Sequence, residues 1–336
     1  MTTELFGTPL DDAWRRVGHR GQVVGIESSV RADGADAGAR RLRIVNGDLD
    51  VELLPDRGLD LGQVRVGGIP LAWMSATGFP PLSVDGQGAG AWMRAFGGGM
   101  LTTCGLESFG APSSDDGQPH PLHGRYSSLS AEVVRADASG DEIVVEGIVR
   151  EASVFGSHLE LRRRISSVVG SRSLRLHDTI VNRGAHVALP MVLYHLNLGW
   201  PLIDEGTVLR SPAVDVLPRD DAAARGLSSW DRFPAPGSAY PEQVFRHELP
   251  SDGRAIVDVE GGCGLTVRIA FDAARMPGLF QWRVAEEGGH YVLGVEPATA
   301  ATILGRADAR ARGLLRPLAP GEALQLGVEI EVMRRA

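Results

Sequence analysis

The sequence predicts a mainly β protein, a large antiparallel β-sandwich, from three observations. Short runs with period-two alternation recur from about residue 142 to residue 335. Glycine (43) and proline (20) together make up almost a fifth of the 336 residues, as in chains built from many turns. Helical periodicity over ten or more residues is hard to find outside one short segment at Leu10–Val17, so helix is expected for less than about a fifth of the chain.

The elements follow in order. Glu142–Ile148 is rich in valine and isoleucine and follows the turn signal Ala138-Ser139-Gly140-Asp141, so it reads as a strand. Leu159, Leu161, Arg163 and Ile165 fall on one face of the next run, and Leu174, Leu176, Asp178 and Ile180 on one face of the run after it. Ala188–Leu198 and Tyr291–Glu296 read as strands bounded by Pro190, Pro201 and Pro297. Three stretches read as irregular: 78–92, 111–121 and about 217–242. No linker and no internal repeat cuts the chain, which is expected to form one domain over 1–336, with 1–40 as an N-terminal extension and first strands.

Composition removes whole classes of chemistry. All 34 Lys+Arg residues are arginine, so Schiff-base, pyridoxal-anchoring and phosphate-loop lysines are unavailable. The net charge of −8 argues against nucleic acid as a partner. No run reaches the ~18 apolar residues that span a bilayer, and the first residues lack an apolar stretch of signal-peptide length. The expectation is a cytoplasmic protein with no membrane partner. Cys104 and Cys263 are far apart and offer neither a disulfide framework nor a Cys-x-x-Cys site.

Three groups of residues carry candidate chemistry. His195 and Asn197 are two apart on an apolar run, so they share one face while Tyr194, Leu196 and Leu198 share the other. Such a pair is costly to bury without partners, and the competing reading is a core histidine satisfied by a carbonyl. Glu296 precedes Pro297, which is expected to end the strand there, leaving either a functional carboxylate or a solvated strand end. His120-Pro121-Leu122-His123 lacks the i, i+4 helical spacing of zinc hydrolases, so no metal site is expected. The glycine runs Phe96-Gly97-Gly98-Gly99 and Gly86-Gln87-Gly88-Ala89-Gly90 do not link a strand to a helix and are not read as nucleotide loops.

Taken in order, several segments resemble the aldose 1-epimerase (galactose mutarotase-like) superfamily and its bacterial aldose-epimerase-like branch. They are Pro55-Asp56-Arg57-Gly58-Leu59-Asp60; the stretch from Gly98 to Gly105 followed by Leu122-His123-Gly124; Tyr194-His195-Leu196-Asn197-Leu198-Gly199; Gln281-Trp282 leading to Gly294-Val295-Glu296-Pro297; and Leu318-Ala319-Pro320-Gly321-Glu322. The resemblance implies a twisted β-sandwich, with Glu296 as general base and His195 as general acid. It also implies sugar contacts from His123, and from Arg94 in Trp92-Met93-Arg94. In this chain the histidine lies two residues before the asparagine, where the family pattern has four, which keeps the strand face and moves the histidine along it. Glu242-Gln243-Val244-Phe245 only echoes the family's Asp-His-x-aromatic site, and its role is not transferred.

The implied reaction interconverts the anomers of a free sugar or close derivative. A base takes the anomeric hydroxyl proton, an acid protonates the ring oxygen, and closure from the other face reverses the roles. No cofactor or metal is required. Trp282 would face the C–H side of a sugar ring, while Arg94, His123 and Asn197 bond its hydroxyls. Two alternatives use the same cleft: another sugar isomerase, epimerase or lyase that abstracts a proton from carbon, or a carbohydrate-binding protein without turnover.

Overall fold

The computed structural model describes residues 4–80, 90–251 and 253–335. Strand accounts for 48% and helix for 10%, so helix stays below the fifth expected from the sequence. Three antiparallel sheets carry the architecture. An eight-stranded sheet runs in the spatial order Glu132–Asp137, Glu142–Ala152, His158–Val168, Ser173–Asn182, Ala323–Arg334, Leu265–Asp272, Arg254–Glu260 and Val208–Arg210. A six-stranded sheet runs Asp215–Pro218, Gln243–Glu248, Gly278–Glu286, His290–Ala298, Leu193–Gly199 and Thr102–Cys104. A five-stranded sheet of Val24–Val30, Arg40–Asn46, Leu49–Leu54, Asp60–Val66 and Ile69–Pro70 is tied to the second through the bridges Leu61 to Leu101 and Ala72 to Leu198.

The main core lies between these layers. The apolar members of the two one-face sets read from the sequence all enter it, Leu159, Leu161 and Ile165 and then Leu174, Leu176 and Ile180, joined by Ile143, Val145 and Val149 of the strand before them. From the six-stranded sheet, Tyr194, Leu196, Leu198, Leu293 and Val295 meet them. The two polar interruptions on those inward faces, Arg163 and Asp178, stand opposite each other across the ladder. Arg163 has a fully buried side chain and is clamped by Asp178 at 2.7 Å and by Asp60 at 2.6 Å, and Tyr194 donates its hydroxyl to Asp178 at 2.8 Å. The clamp neutralises the guanidinium inside a low-dielectric core. Asp178→Ala is therefore expected to cost about 3–5 kcal/mol of unfolding free energy, measured by urea denaturation, because it strips one partner from a buried charge.

Several boundaries differ from the sequence expectation. The helix predicted at Leu10–Val17 is only Leu10–Trp14, entered from Pro9 without a side-chain cap. The strand expected from Ala188 begins at Leu193; 188–192 contains Pro190 and pairs irregularly, through a bridge from Ala188 to Leu318 and single bonds from Met191 N–H to the Leu106 carbonyl and from Thr299 N–H to the Val192 carbonyl. The expected end at Glu296 is also corrected: that strand is His290–Ala298 and runs through Pro297. Its ladder to Leu193–Gly199 pairs Leu193 with Ala298 and resumes at Leu196 with Val295. The gap falls at the proline, which has no N–H to give. The stretch 111–121 holds the small hairpin Ser113–Asp115 and Gln118–His120, while 217–242 holds a helix at Asp221–Gly226 capped by Asp220. Of the predicted loop 78–92, residues 81–89, which include most of the second glycine run, lie outside the described residues. Among the described residues no helix is long and apolar enough to cross a membrane.

Candidate active site

The site is set by strand parity. In Leu193–Gly199 the residues Tyr194, Leu196 and Leu198 enter the main core, so His195 and Asn197 project from the opposite face of the six-stranded sheet. On the neighbouring strand Asn197 pairs with Gly294, which places Glu296 beside His195. One strand further, Phe280 pairs with Glu296 and Trp282 with Gly294. His195, Asn197, Glu296 and Trp282, from three adjacent strands, thus share one face.

At its centre, His195 Nε2 lies 3.4 Å from Glu296 Oε1, with 4% and 3% of the two residues exposed. The glutamate is interior to the strand, so the solvated strand-end reading is set aside. Gly294 forms the floor beside this pair. A Cβ there would stand 2.9 Å from Glu296 Oε1, 2.9 Å from Trp282 Cβ and 3.3 Å from His195 Cε1.

Around the pair stands an aromatic wall. Trp92, from the short helix Ala91–Ala95, stacks on Phe96 with centroids 4.3 Å apart and tilts against His123 at 4.5 Å. Phe96 and Trp282 each reach the His195 ring at 5.3 Å, and Trp73 packs on both of them. His123, with a left-handed φ of 57°, turns its ring into this wall, 5.8 Å from that of His195. His120, three residues earlier, instead lines a separate polar cavity of about 420 Å³. The loop therefore splits the two histidines between different spaces, and among the described residues no cluster of three or more His, Cys, Asp or Glu side chains could hold a metal.

Polar accounting marks the same place. His195 Nδ1, His123 Nδ1 and Asn197 Oδ1 are buried without a hydrogen-bond partner among the described residues. Asn197 spends its amide on the carbonyls of Gly99 (3.0 Å) and His195 (2.9 Å). Trp282 donates its indole N–H to Glu242 at 3.1 Å, and Glu242 is held by Arg219 at 2.8 Å. Arg94 is exposed on the Trp92 helix, two residues beyond that tryptophan, with its Nη1 over Gly90.

The surroundings favour uncharged forms. Burial pushes the Glu296 carboxyl up to about 8, the charge of Glu242 adds to this and Arg219 offsets part of it. Burial holds His195 well below the ordinary histidine range, with His123 adding to the effect. Burial alone brings His123 down to about 4. The patch thus brings a buried carboxyl and a buried imidazole within 3.4 Å of each other beside flat aromatic faces.

Gly294, Glu242, Trp92 and Phe96 enter the sequence reading only as parts of motifs, with no site role, and Trp73 and Arg219 are not singled out there at all. Their signal is weak because loops and an isolated short helix supply most of the aromatic wall. The glycines after Phe96 have a packing reason: a Cβ at Gly97 would stand 2.1 Å from the Gly78 carbonyl oxygen, and at Gly99, with φ +87°, it would stand 2.6 Å from that of Leu61. They let this loop press into the sheet.

Solved structures support the architecture. A protein from Klebsiella pneumoniae, provisionally described as an aldose 1-epimerase, is 27% identical with a TM-score of 0.81, the match covering 92% of this chain and 83% of that one. A galactose mutarotase-like protein from Clostridium acetobutylicum, 13% identical, matches at a TM-score of 0.65 over 93% of this chain and 99% of its own. A galactose 1-epimerase from Lactobacillus acidophilus, 14% identical, matches at 0.60 over 93% and 100%. The fold is thus a galactose mutarotase-like β-sandwich. No curated protein matches the chain. The model of one family, DUF4432, a domain of unknown function, matches residues 36–332, and the chain belongs to that family.

Proposed function

We propose that the protein is an aldose 1-epimerase-type enzyme, interconverting the anomers of a small carbohydrate by general acid–base catalysis at Glu296 and His195. The observation that carries this reading is the buried His195–Glu296 contact at 3.4 Å beneath an aromatic wall. Mutarotation moves protons at two oxygens separated by one carbon, so its acid and base must face a common point. A carboxyl near 8 and a depressed imidazole keep one proton in the free site, on Glu296. His195 then takes the anomeric proton while Glu296 gives one to the ring oxygen. The charged pair that results, imidazolium and carboxylate, restores the start when the ring closes from the other face. In this resting state the first-step roles are the reverse of those the family resemblance implies. Trp282 and Trp92 offer apolar faces to the ring, and His123 and Asn197 supply polar atoms for its hydroxyls. Arg94 is retained as a candidate for the outer part of the sugar. The chain is proposed to act as a single cytoplasmic domain.

The test is catalytic. Trace amounts of protein should accelerate equilibration of freshly dissolved single anomers across a panel of free sugars, followed by polarimetry or exchange NMR. No acceleration on any sugar would remove the reading. Solvent deuterium entering a carbon position would replace it with an isomerase or lyase, since mutarotation exchanges no C–H.

The pH dependence is expected to have a definite sign. Deprotonating Glu296 removes the single proton, so kcat/KM should fall as pH rises through about 8. On the acid side His195 gains a second proton only well below its ordinary 6.5, so the rate should hold at pH 6. A profile that instead rises through pH 8 would place the proton elsewhere.

A further inference from the structure

The turn Pro55–Asp60 is anchored more firmly than a connection between two strands requires. Gly58 has φ +66° and lies so close to Tyr126 that a Cβ would stand 2.3 Å from its ring, and the Tyr126 hydroxyl donates to the Gly58 carbonyl at 2.8 Å. Asp60 is locked to Arg163, and Asp56 takes two donors from the Arg40 guanidinium at 2.8 and 2.6 Å. From this fixed base the Arg57 side chain extends to Ala95 and is only 5% exposed.

Its contacts are unusual for a buried cation. Both Nη atoms donate to one acceptor, the Ala95 carbonyl, at 2.9 Å each. Nε is buried without a partner among the described residues, and the guanidinium sits 5.8 Å from the Phe79 ring centroid. Burial lowers its affinity for the proton to about 10, an effect that Asp60 only partly offsets. Ala95 ends the helix that carries Trp92. The next carbonyl, that of Phe96, is held by the Ser75 hydroxyl at 2.6 Å. Two successive carbonyls at the root of the aromatic wall are thus pinned by side chains from elsewhere in the fold.

We infer that Arg57 is a positioning residue for the candidate active site, acting through Ala95 to set where Trp92 and Phe96 stand over His195 and Glu296. The inference rests on the mutarotase reading for its kinetic consequence. Arg57 touches neither member of the catalytic pair, so it governs how the ring is held and leaves the proton transfers alone. A charged donor pair on one carbonyl fixes both distance and direction, which an apolar side chain of similar length does not.

The experiment compares Arg57→Met and Arg57→Lys with the wild-type full chain on a sugar whose anomerisation the wild type accelerates. Arg57→Met should raise KM about tenfold with kcat within about threefold, the pattern of lost uniform binding. Arg57→Lys, which keeps one charged donor, should recover part of that loss. In parallel, each protein is labelled with 5-fluorotryptophan, and Trp92→Phe assigns the Trp92 fluorine resonance. That resonance should move in both variants while those of Trp200 and Trp230 stay in place. A fall in kcat with KM unchanged, or an unmoved Trp92 resonance, overturns the inference. If Arg57→Met does not fold, Arg57→Lys decides by the same two readouts. If the wild type accelerates no sugar, the mutarotase reading has failed, and the Trp92 resonance alone tests the anchoring.

Discussion

Glu296→Gln is expected to lower anomerisation about 10²–10⁴-fold, or ~3–5 kcal/mol of barrier, while sugar affinity stays within a few-fold of wild type. The amide has nearly the shape of the protonated carboxyl that burial favours at this site, so the variant should fold with little loss of stability. It cannot exchange the proton. His195→Asn should lower the rate comparably, and the double variant should cost less than the product of the two, because the residues act as one unit. His123→Asn separates the two histidines. The His123 ring packs on Trp92 and lies 5.8 Å from the His195 ring, a place suited to holding the substrate. Loss of turnover in His123→Asn with a near-normal rate in His195→Asn would move the histidine role to His123. A fully active Glu296→Gln would end the mechanism for this chain.

The parts of this site legible in the sequence are those that period-two geometry dictates. His195 and Asn197 share a strand face whatever the rest of the fold does, and that face turned out to be the one opposite the core because Tyr194, Leu196 and Leu198 took the other. Likewise, the apolar members of the runs around Arg163 and Asp178 identified the inward faces correctly. What those polar residues were doing there depended on register and on Asp60, about a hundred residues earlier than Arg163. Pro297 misled about the end of its strand, since a proline can persist inside a sheet where the ladder lapses. The aromatic wall was hidden for a different reason. Trp73, Trp92 and Phe96 come from short or irregular segments whose positions are fixed by tertiary hydrogen bonds such as Arg57 to Ala95, and no local pattern encodes those.

Gly294→Ala is expected to reduce turnover about a hundredfold or more, although Gly294 has no functional group. Its φ is not among the positive values of this chain, so the backbone does not require glycine there. The requirement is space: a methyl group would stand 2.9 Å from both Glu296 Oε1 and Trp282 Cβ, closer than ordinary contact allows. Either the carboxylate or the indole must shift, and displacements of about 1 Å at reacting groups commonly cost about 10²-fold. The stability penalty should be that of modest overpacking, about 1–3 kcal/mol, leaving a folded protein to assay. Gly294→Val should extend the effect by filling the floor between the pair and Trp282. If Gly294→Ala, folded by circular dichroism, retains the wild-type rate, the sugar does not sit over this strand, and the chemistry assigned to Glu296 and His195 must be sought elsewhere on the sheet.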